Sequence, residues 1–412
     1  MILHASPVRR WRRLTLVALF GASTSTVLFV ATSAIAQAPT PDAQPTAGPT
    51  LNPLNMVPAP PSLAATSWVL MDAKSGDIIL EQNAHQRLPP ASLTKLMTAY
   101  IAEYEIEAGR LNESDMARVS ENAWRTGGSR MFLNVNTNVS IGDLMRGIVV
   151  QSGNDASVAM AEHIAGSEDA FAQLMNQHAQ MLGMKNTHFM NATGLPHDEH
   201  YTSAYDLADL SRHIILDFPE HYSLYEEREF TYNGIRQPNR NLLLWRDGRV
   251  DGLKTGHTEA AGYCLAASAV DGDTRLIAVV MGTNSEEARA QETMKLLSYG
   301  FRYYHTQRLF DAGHVVSNAR VWGGSQNNVP VGFPDEVYVT LPQGDGELTQ
   351  RVELSSDIEA PVAAGQELGT LTVMRGDDEI ATRPLVALEA VEEGGFIKQA
   401  WDKLVRFVTS FF

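Results

Sequence analysis

Ser92 and Lys95 stand three residues apart, the spacing that brings a hydroxyl and an amine to one face of a helix. A serine hydroxyl is a poor nucleophile at neutral pH and needs an adjacent base. A lysine serves as that base only where burial and a neighbouring cation lower its pKa. Lys254 offers such a cation, and it opens the triplet Lys254-Thr255-Gly256. Between the two lies Ser152-Gly153-Asn154, 60 residues after Ser92 and 102 before Lys254. There Ser152 can relay a proton to a leaving amine, and Asn154 can hold a substrate amide or anchor Lys95. Singly, these are a helix cap, a surface lysine and a polar turn. In this order, and within one domain of about 250 residues, they describe a site for acyl transfer through serine.

The elements that must position these groups are legible nearby. Leu93, Leu96, Met97, Tyr100, Ile101 and Tyr104 recur at helical spacing after Pro89-Pro90, which predicts a helix over 91–107. Ser92 then falls in the first turn, where free N–H groups favour developing negative charge. Gly153 predicts a tight turn after the apolar run 144–150. The alternating segment 263–270, the turn Asp271-Gly272-Asp273 and the apolar run 276–281 predict a hairpin beside a Lys-Thr-Gly strand. On that strand Gly256 would let a substrate backbone approach and add as an extra strand. A first hairpin is predicted from 68–72 and 78–81, helices over 156–164, 170–181 and 203–215, and a closing helix over 291–304. Strands from both ends of the domain, with helices between, give an α/β fold around an antiparallel sheet.

With these residues in hand, the chain resembles the D-alanyl-D-alanine carboxypeptidases of the low-molecular-weight penicillin-binding protein type, whose fold is β-lactamase/transpeptidase-like. Further stretches match in kind: Gly-Gly-Ser-Arg-Met-Phe-Leu at 127–133, Asn-Ala-Thr-Gly-Leu at 191–195, Arg-Gln-Pro-Asn-Arg-Asn at 236–241, Val-Asp-Gly-Leu-Lys-Thr-Gly-His-Thr at 250–258, and Ala288-Arg289. The resemblance implies Ser92 as the acylated nucleophile and Lys95 as its base, with Ser152, Asn154 and Lys254 as the supporting network. It implies that Thr255 and Arg289 face the terminal carboxylate of the substrate, with Arg289 in a loop over 284–290. Its oxyanion hole maps to the backbone N–H groups of Ser92 and His257. The substrates implied are peptidoglycan stem peptides, with β-lactams as covalent inhibitors and no cofactor. Two departures stand out: the loop 245–250 looks about a residue short, and Arg130 is bulky for a position beside the cleft. A class A β-lactamase would need a Glu-x-x-Leu-Asn-type motif between Ser152 and Lys254, and none occurs there. An endopeptidase acting on crosslinks would use the same parts. A silent scaffold is opposed by the intact Ser92, Lys95 and Lys254.

Composition fits an exported envelope enzyme. Residues 1–36 read as a signal peptide, with Arg9, Arg10, Arg12 and Arg13 ahead of an apolar centre and Ala34-Ile35-Ala36 as the cleavage site. Its removal lowers the net charge from −16 to −20. Such acidity argues against nucleic acid as a partner, which wants a basic footprint. The single cysteine, Cys264, precludes an internal disulfide and lies in an apolar strand, where it reads as a packed small hydrophobe. No cluster of ligating residues has metal-site spacing. The Pro/Ala-rich stretch 37–62 is a linker. The peptidase domain is expected over 63–308 and a small all-β domain over 309–390, with short strands at 337–341, 351–354, 368–373 and 379–386.

The last segment, 391–412, is expected to be an amphipathic helix. Phe396, Ile397, Ala400, Trp401, Leu404, Val405, Val408, Phe411 and Phe412 form its apolar stripe, with Phe407 outside the pattern. Lys398, Lys403 and Arg406 against Asp402 make the other face cationic. It is too short and charged to span a bilayer and suits a helix lying in a membrane surface; the alternative is a helix docked on its own domain. The expected location is the periplasmic face of the inner membrane.

Overall fold

The structure, a computed structural model, describes residues 57–344 and 346–409. The signal-peptide reading and residues 37–56 of the linker lie outside the described residues. The fold opens with β1 (Ser67–Asp72) and β2 (Ile78–Gln82), and a 3-10 turn at Ala91–Thr94 leads into α1 (Lys95–Glu107). The strands β3 (Met116–Arg118) and β4 (Asn138–Ser140) bracket α2 (Glu121–Arg125), and α3 (Ile141–Arg146) runs into a π-helical turn at Gly147–Gln151. Next come α4 (Asn154–Ala165), α5 (Glu168–Met181), α6 (Ala204–Asp217), the hairpin β5 (Glu229–Tyr232) and β6 (Ile235–Pro238), and α7 (Leu243–Arg246). The chain returns to the sheet as β7 (Val250–Thr258), β8 (Gly262–Asp271) and β9 (Thr274–Thr283), and α8 (Glu286–Tyr303) closes the domain.

The central sheet is antiparallel in the order β2-β1-β9-β8-β7, so β7, which carries Lys-Thr-Gly, is an edge strand. β1 is buried along its whole length because both faces of the sheet are covered. Val69 and Met71 join the core built with α1, α4 and α6, while Trp68 and Leu70 pack on the opposite side with Leu296 and Leu297 of α8. Alternate residues of one strand thus enter two cores, which is why the segment reads as continuously apolar.

A β-rich body follows: β10 (Tyr304–Phe310), β11 (His314–Trp322), β12 (Asn328–Phe333), β13 (Val337–Pro342), β14 (Leu348–Leu354), β15 (Ile358–Glu359), β16 (Glu367–Arg375) and β17 (Asp378–Ala387). Its main sheet runs β14-β16-β17-β12-β11-β15, beside a separate β10–β13 pair, around a core that includes Val329, Val331, Val339, Leu371 and Leu385. This body grips the β1–β2 turn. Asp77 accepts from the Thr340 N–H at 3.1 Å and pairs with Arg383 at 2.7 Å. The Ser75 and Thr340 hydroxyls meet at 2.7 Å, and the Lys74 ammonium sits 5.2 Å over the Tyr338 ring.

The terminal helix, α9 (Phe396–Thr409), revises the expectation in three respects. Docking and an outward apolar stripe are not alternatives here. The polar face rests on the β body, where the buried Asp402 accepts the Gly323 N–H at 2.9 Å and pairs with Lys398. Arg406 pairs with Asp357 and Glu359, so much of the expected cationic face is neutralised by the protein's own acids. Phe407 also belongs to the stripe: it is 64% exposed, alongside Phe396, Ile397, Trp401 and Leu404. Eleven residues at about 100° each return Phe407 to the azimuth of Phe396. Among the described residues, no helix is long and apolar enough to cross a membrane.

Candidate active site

Ser92 sits on a constrained turn. Ala91 has φ +48, a left-handed conformation that costs a non-glycine residue about 1–3 kcal/mol. Two glycines enclose the turn. A Cβ on Gly194 would stand 1.8 Å from the Ala91 carbonyl oxygen, and Gly194 itself has φ +82. A Cβ on Gly256 would meet the Pro90 oxygen at 3.1 Å and the Ala91 Cβ at 3.3 Å. Gly256 therefore lets β7 pack on the turn that carries Ser92. Gly256 also lines the cleft.

Below the turn, Lys95 is 1% exposed. Its Nζ lies 3.2 Å from Ser92 Oγ and donates to Asn154 Oδ1 at 2.7 Å and to the Thr193 carbonyl at 2.6 Å. Burial foremost, and then the charge of Arg240, bring its pKa down to about 7 against the opposing pull of Asp155 and Glu168. Arg240 is thus a cation acting on Lys95 that the sequence did not single out, and Lys254 interacts with Lys95 as well. Lys254 is fully buried, donates to the Thr255 carbonyl at 2.9 Å, and has its own pKa pushed well down by burial and then by Lys95, Arg240 and Arg289.

The Ser-Gly-Asn segment joins this floor from α4. Asn154 spends both ends of its amide on protein, since its Nδ2 also donates to the Gly127 carbonyl at 2.6 Å. Of the two uses open in the sequence, anchoring Lys95 is the one realised here. Ser152 lines the same cleft, and it, not Gly153, takes the left-handed backbone, at φ +66 against −64. Asp155 fixes the facing loop through the N–H groups of Met131 at 2.9 Å and Leu133 at 3.1 Å. Arg130 does not line the cleft; its guanidinium donates to the Trp124 carbonyl.

The far end of the cleft is cationic. Arg289 lies in the first turn of α8, whose N-cap is Ser285, and not in the expected loop. It is 3% exposed, donates to the Arg240 carbonyl at 3.2 Å, and lies 5.7 Å from the Tyr263 ring centre. Thr255 is buried beside it, and the exposed His257 stacks on Tyr263 at 3.9 Å. The cleft has a volume of about 260 Å³ and gathers Ser92, Ser152, Asn154, Thr255, Gly256, His257 and Arg289, with Lys95 and Lys254 buried beneath. It also gathers Ser129, Gly194 and Arg240, to which the sequence reading gave no role. Gly194 and Arg240 lie in the matched stretches 191–195 and 236–241, which was the available signal.

A serine hydroxyl against a buried lysine of depressed pKa, on an open strand edge with a cationic end, defines a serine peptidase that works by acyl transfer. The chain belongs to the D-alanyl-D-alanine carboxypeptidase family: the model of that family matches residues 55–285, and that of the penicillin-binding protein 5 C-terminal domain matches 304–393. It is 43% identical over 361 residues to D-alanyl-D-alanine carboxypeptidase DacA of Escherichia coli K12, covering 85% of this chain and 90% of that protein. Penicillin-binding protein 5 from Haemophilus influenzae superimposes with a TM-score of 0.76 at 43% identity, over 81% of this chain and 99% of that one. Penicillin-binding protein D2 from Listeria monocytogenes, in its ampicillin-bound form, aligns with a TM-score of 0.54 at 30% identity, over 58% of this chain and 98% of that one. The enzyme is a serine-type D-Ala-D-Ala carboxypeptidase.

Proposed function

We propose that Ser92 is the residue acylated during removal of the terminal D-alanine from peptidoglycan stem peptides. Ser92 Oγ attacks the carbonyl of the penultimate D-Ala while Lys95 Nζ takes its proton. The N–H groups of Ser92 and His257 receive the tetrahedral oxygen. The C–N bond breaks, the departing amine regains a proton by way of Ser152, and water then hydrolyses the ester with Lys95 again as base. Asn154 and Lys254 hold this network, and Thr255 with Arg289 read the free carboxylate. The observation that carries the reading is Lys95 Nζ, 3.2 Å from Ser92 Oγ with a pKa near 7, which leaves a large neutral fraction at the pH where a base is needed. Intact-mass analysis with benzylpenicillin tests it. One adduct is expected on the native protein and none on Ser92→Ala; an adduct that persists in the variant overturns the assignment.

Arg289→Ala is expected to lower kcat/KM on a D-Ala-D-Ala peptide by about 10-fold or more, since hydrogen bonds to charged groups contribute about 1.5–3 kcal/mol. An unchanged kcat/KM refutes the carboxylate role.

We further propose that residues 1–36 direct export, that the enzyme works on the periplasmic face of the inner membrane, and that α9 lies in that surface. Strong exposure of the apolar side of α9 supports the last point. The proposed division is a peptidase domain from 63, a β-rich domain to about 390 and the helix beyond, with the junction at β10 because that strand pairs with β13.

A further inference from the structure

Residues 191–195 lie between α5 and α6 and belong to no helix or strand, yet the Thr193 carbonyl accepts from Lys95 Nζ at 2.6 Å. A carbonyl in irregular backbone keeps its direction only if something braces it. Asn191 supplies the brace. Its Oδ1 accepts from the Thr193 N–H at 3.1 Å, the Thr193 hydroxyl at 2.9 Å and the Gly194 N–H at 2.7 Å, and its Nδ2 donates to the Leu195 carbonyl at 3.0 Å. One side chain thus replaces the bonds that a helix or strand would make, a use to which asparagine in a turn is suited. The intervening residue is fastened from outside. The Ala192 N–H donates to Glu168 Oε1 at 3.1 Å, and its carbonyl accepts from the Thr98 hydroxyl at 2.8 Å, three residues along α1 from Lys95. Asn191 itself does not line the cleft, so any effect it has on Ser92 passes through the backbone it holds.

What that backbone does follows from the valence of the amine. A neutral lysine has two N–H groups and one lone pair, against three N–H groups in the ammonium form. Besides Ser92, two acceptors stand within reach of Lys95 Nζ: Asn154 Oδ1 at 2.7 Å and the Thr193 carbonyl at 2.6 Å. With both N–H groups spent on these, the lone pair is left for Ser92 Oγ, 3.2 Å away, which is the orientation in which an amine takes a proton. If the Thr193 carbonyl turns aside, an N–H can face Ser92 instead. The Asn154 amide is fixed by its second bond, to Gly127. The Thr193 carbonyl has Asn191. We infer that Asn191 is a positioning residue for the reaction: it holds the Thr193 carbonyl on Lys95 and so keeps the lone pair of that amine directed at Ser92. The inference rests on the proposed reading of Lys95 as the base.

The test is acylation of the purified enzyme by benzylpenicillin, followed across pH. Asn191→Ala is expected to lower the limiting rate about tenfold, the effect of one misdirected hydrogen bond, and to leave the half-saturating concentration unchanged. The charged and titratable groups around Lys95, namely Arg240, Asp155, Glu168, His200 and Lys254, are untouched by the substitution. The bond to Thr193 favours the ammonium form, so its loss should move the pH inflection below its native position near 7. Asn191→Ser returns a single, shorter acceptor to the turn. It should fall between the native enzyme and Asn191→Ala in both rate and inflection, and it carries the test if the alanine variant does not fold. In a Lys95→Ala protein, adding Asn191→Ala should change the residual rate by less than about twofold, since the carbonyl then has no amine to hold. A native rate in the Asn191 variants, or a slower rate with an unmoved inflection, overturns the inference. So does a full loss repeated in the Lys95→Ala background, which would mark general disruption of the cleft. Lys95→Ala alone reports on the base reading, so its failure and that of the positioning role are distinguishable.

Discussion

Replacing Lys95 with alanine is expected to slow acylation of Ser92 by benzylpenicillin at least about 10²-fold, the lower range for loss of a general base. Partners in a nucleophile unit fail together, so the loss can be larger. Stopped-flow acylation checks this, and a loss below tenfold would exclude Lys95 as the base. The same experiment has a pH signature. The neutral amine is the active form and its pKa is about 7, so the native rate should rise with pH through that value and then level. Arg240→Ala removes a positive charge that disfavours the ammonium form. The pKa of Lys95 then rises, and the inflection should move to higher pH. Lys95→Ala should lose the inflection altogether.

The second large effect concerns α9. Removing residues 395–412 should release the enzyme from membranes into the soluble fraction, with turnover of soluble peptides intact. Each large apolar side chain contributes about 1.5–3 kcal/mol when fully buried, and less at an interface. Phe396 and Ile397 are 86% and 84% exposed, so nearly all of their surface is available for that transfer. Because Lys398 and Arg406 already pair with Asp402, Asp357 and Glu359, binding should depend little on anionic lipid. Liposome co-sedimentation with neutral and anionic vesicles measures both points. The double substitution Phe396→Ser with Trp401→Ser separates insertion from docking, since it spares the Asp402–Gly323 contact. If either altered protein still sediments as the native one does, α9 is not the anchor.

Much of this architecture was legible in the sequence because it is local. The first hairpin, the stripes of α4 to α6 and the hairpin after Lys-Thr-Gly each obey a period that a strand or helix imposes. The closeness of Ser92 and Lys95 was legible because three residues are nearly one helical turn. What stayed hidden depends on neighbours distant in sequence. The space beside Gly256 is filled by Pro90 and Ala91, more than 160 positions earlier, so the residue type signals a need for room without saying for what. Arg240 acts on Lys95 across the cleft, and only the fold brings them together. Arg289 was misplaced for a different reason. Asn284-Ser285-Glu286-Glu287 is polar enough to pass for a loop, yet Ser285 followed by two acids is also how a helix begins. In α9, a repeating polar face could not reveal that Asp402 is buried against Gly323.

The position of β7 at the end of the sheet has a cost that falls outside catalysis. A strand left unpaired along one side is a template for pairing with another chain, and every copy of the protein offers the same adhesive border. Two features restrain self-association. Seating of the Ser92 turn against Gly256 takes up part of the length, so the open stretch suits a short chain end better than another whole sheet. A net charge of −16 makes copies repel one another at long range, while a small substrate, steered to the cationic end of the cleft, meets little of that barrier. The acidity of the chain is thus a colloidal safeguard for an enzyme that has to keep one edge exposed.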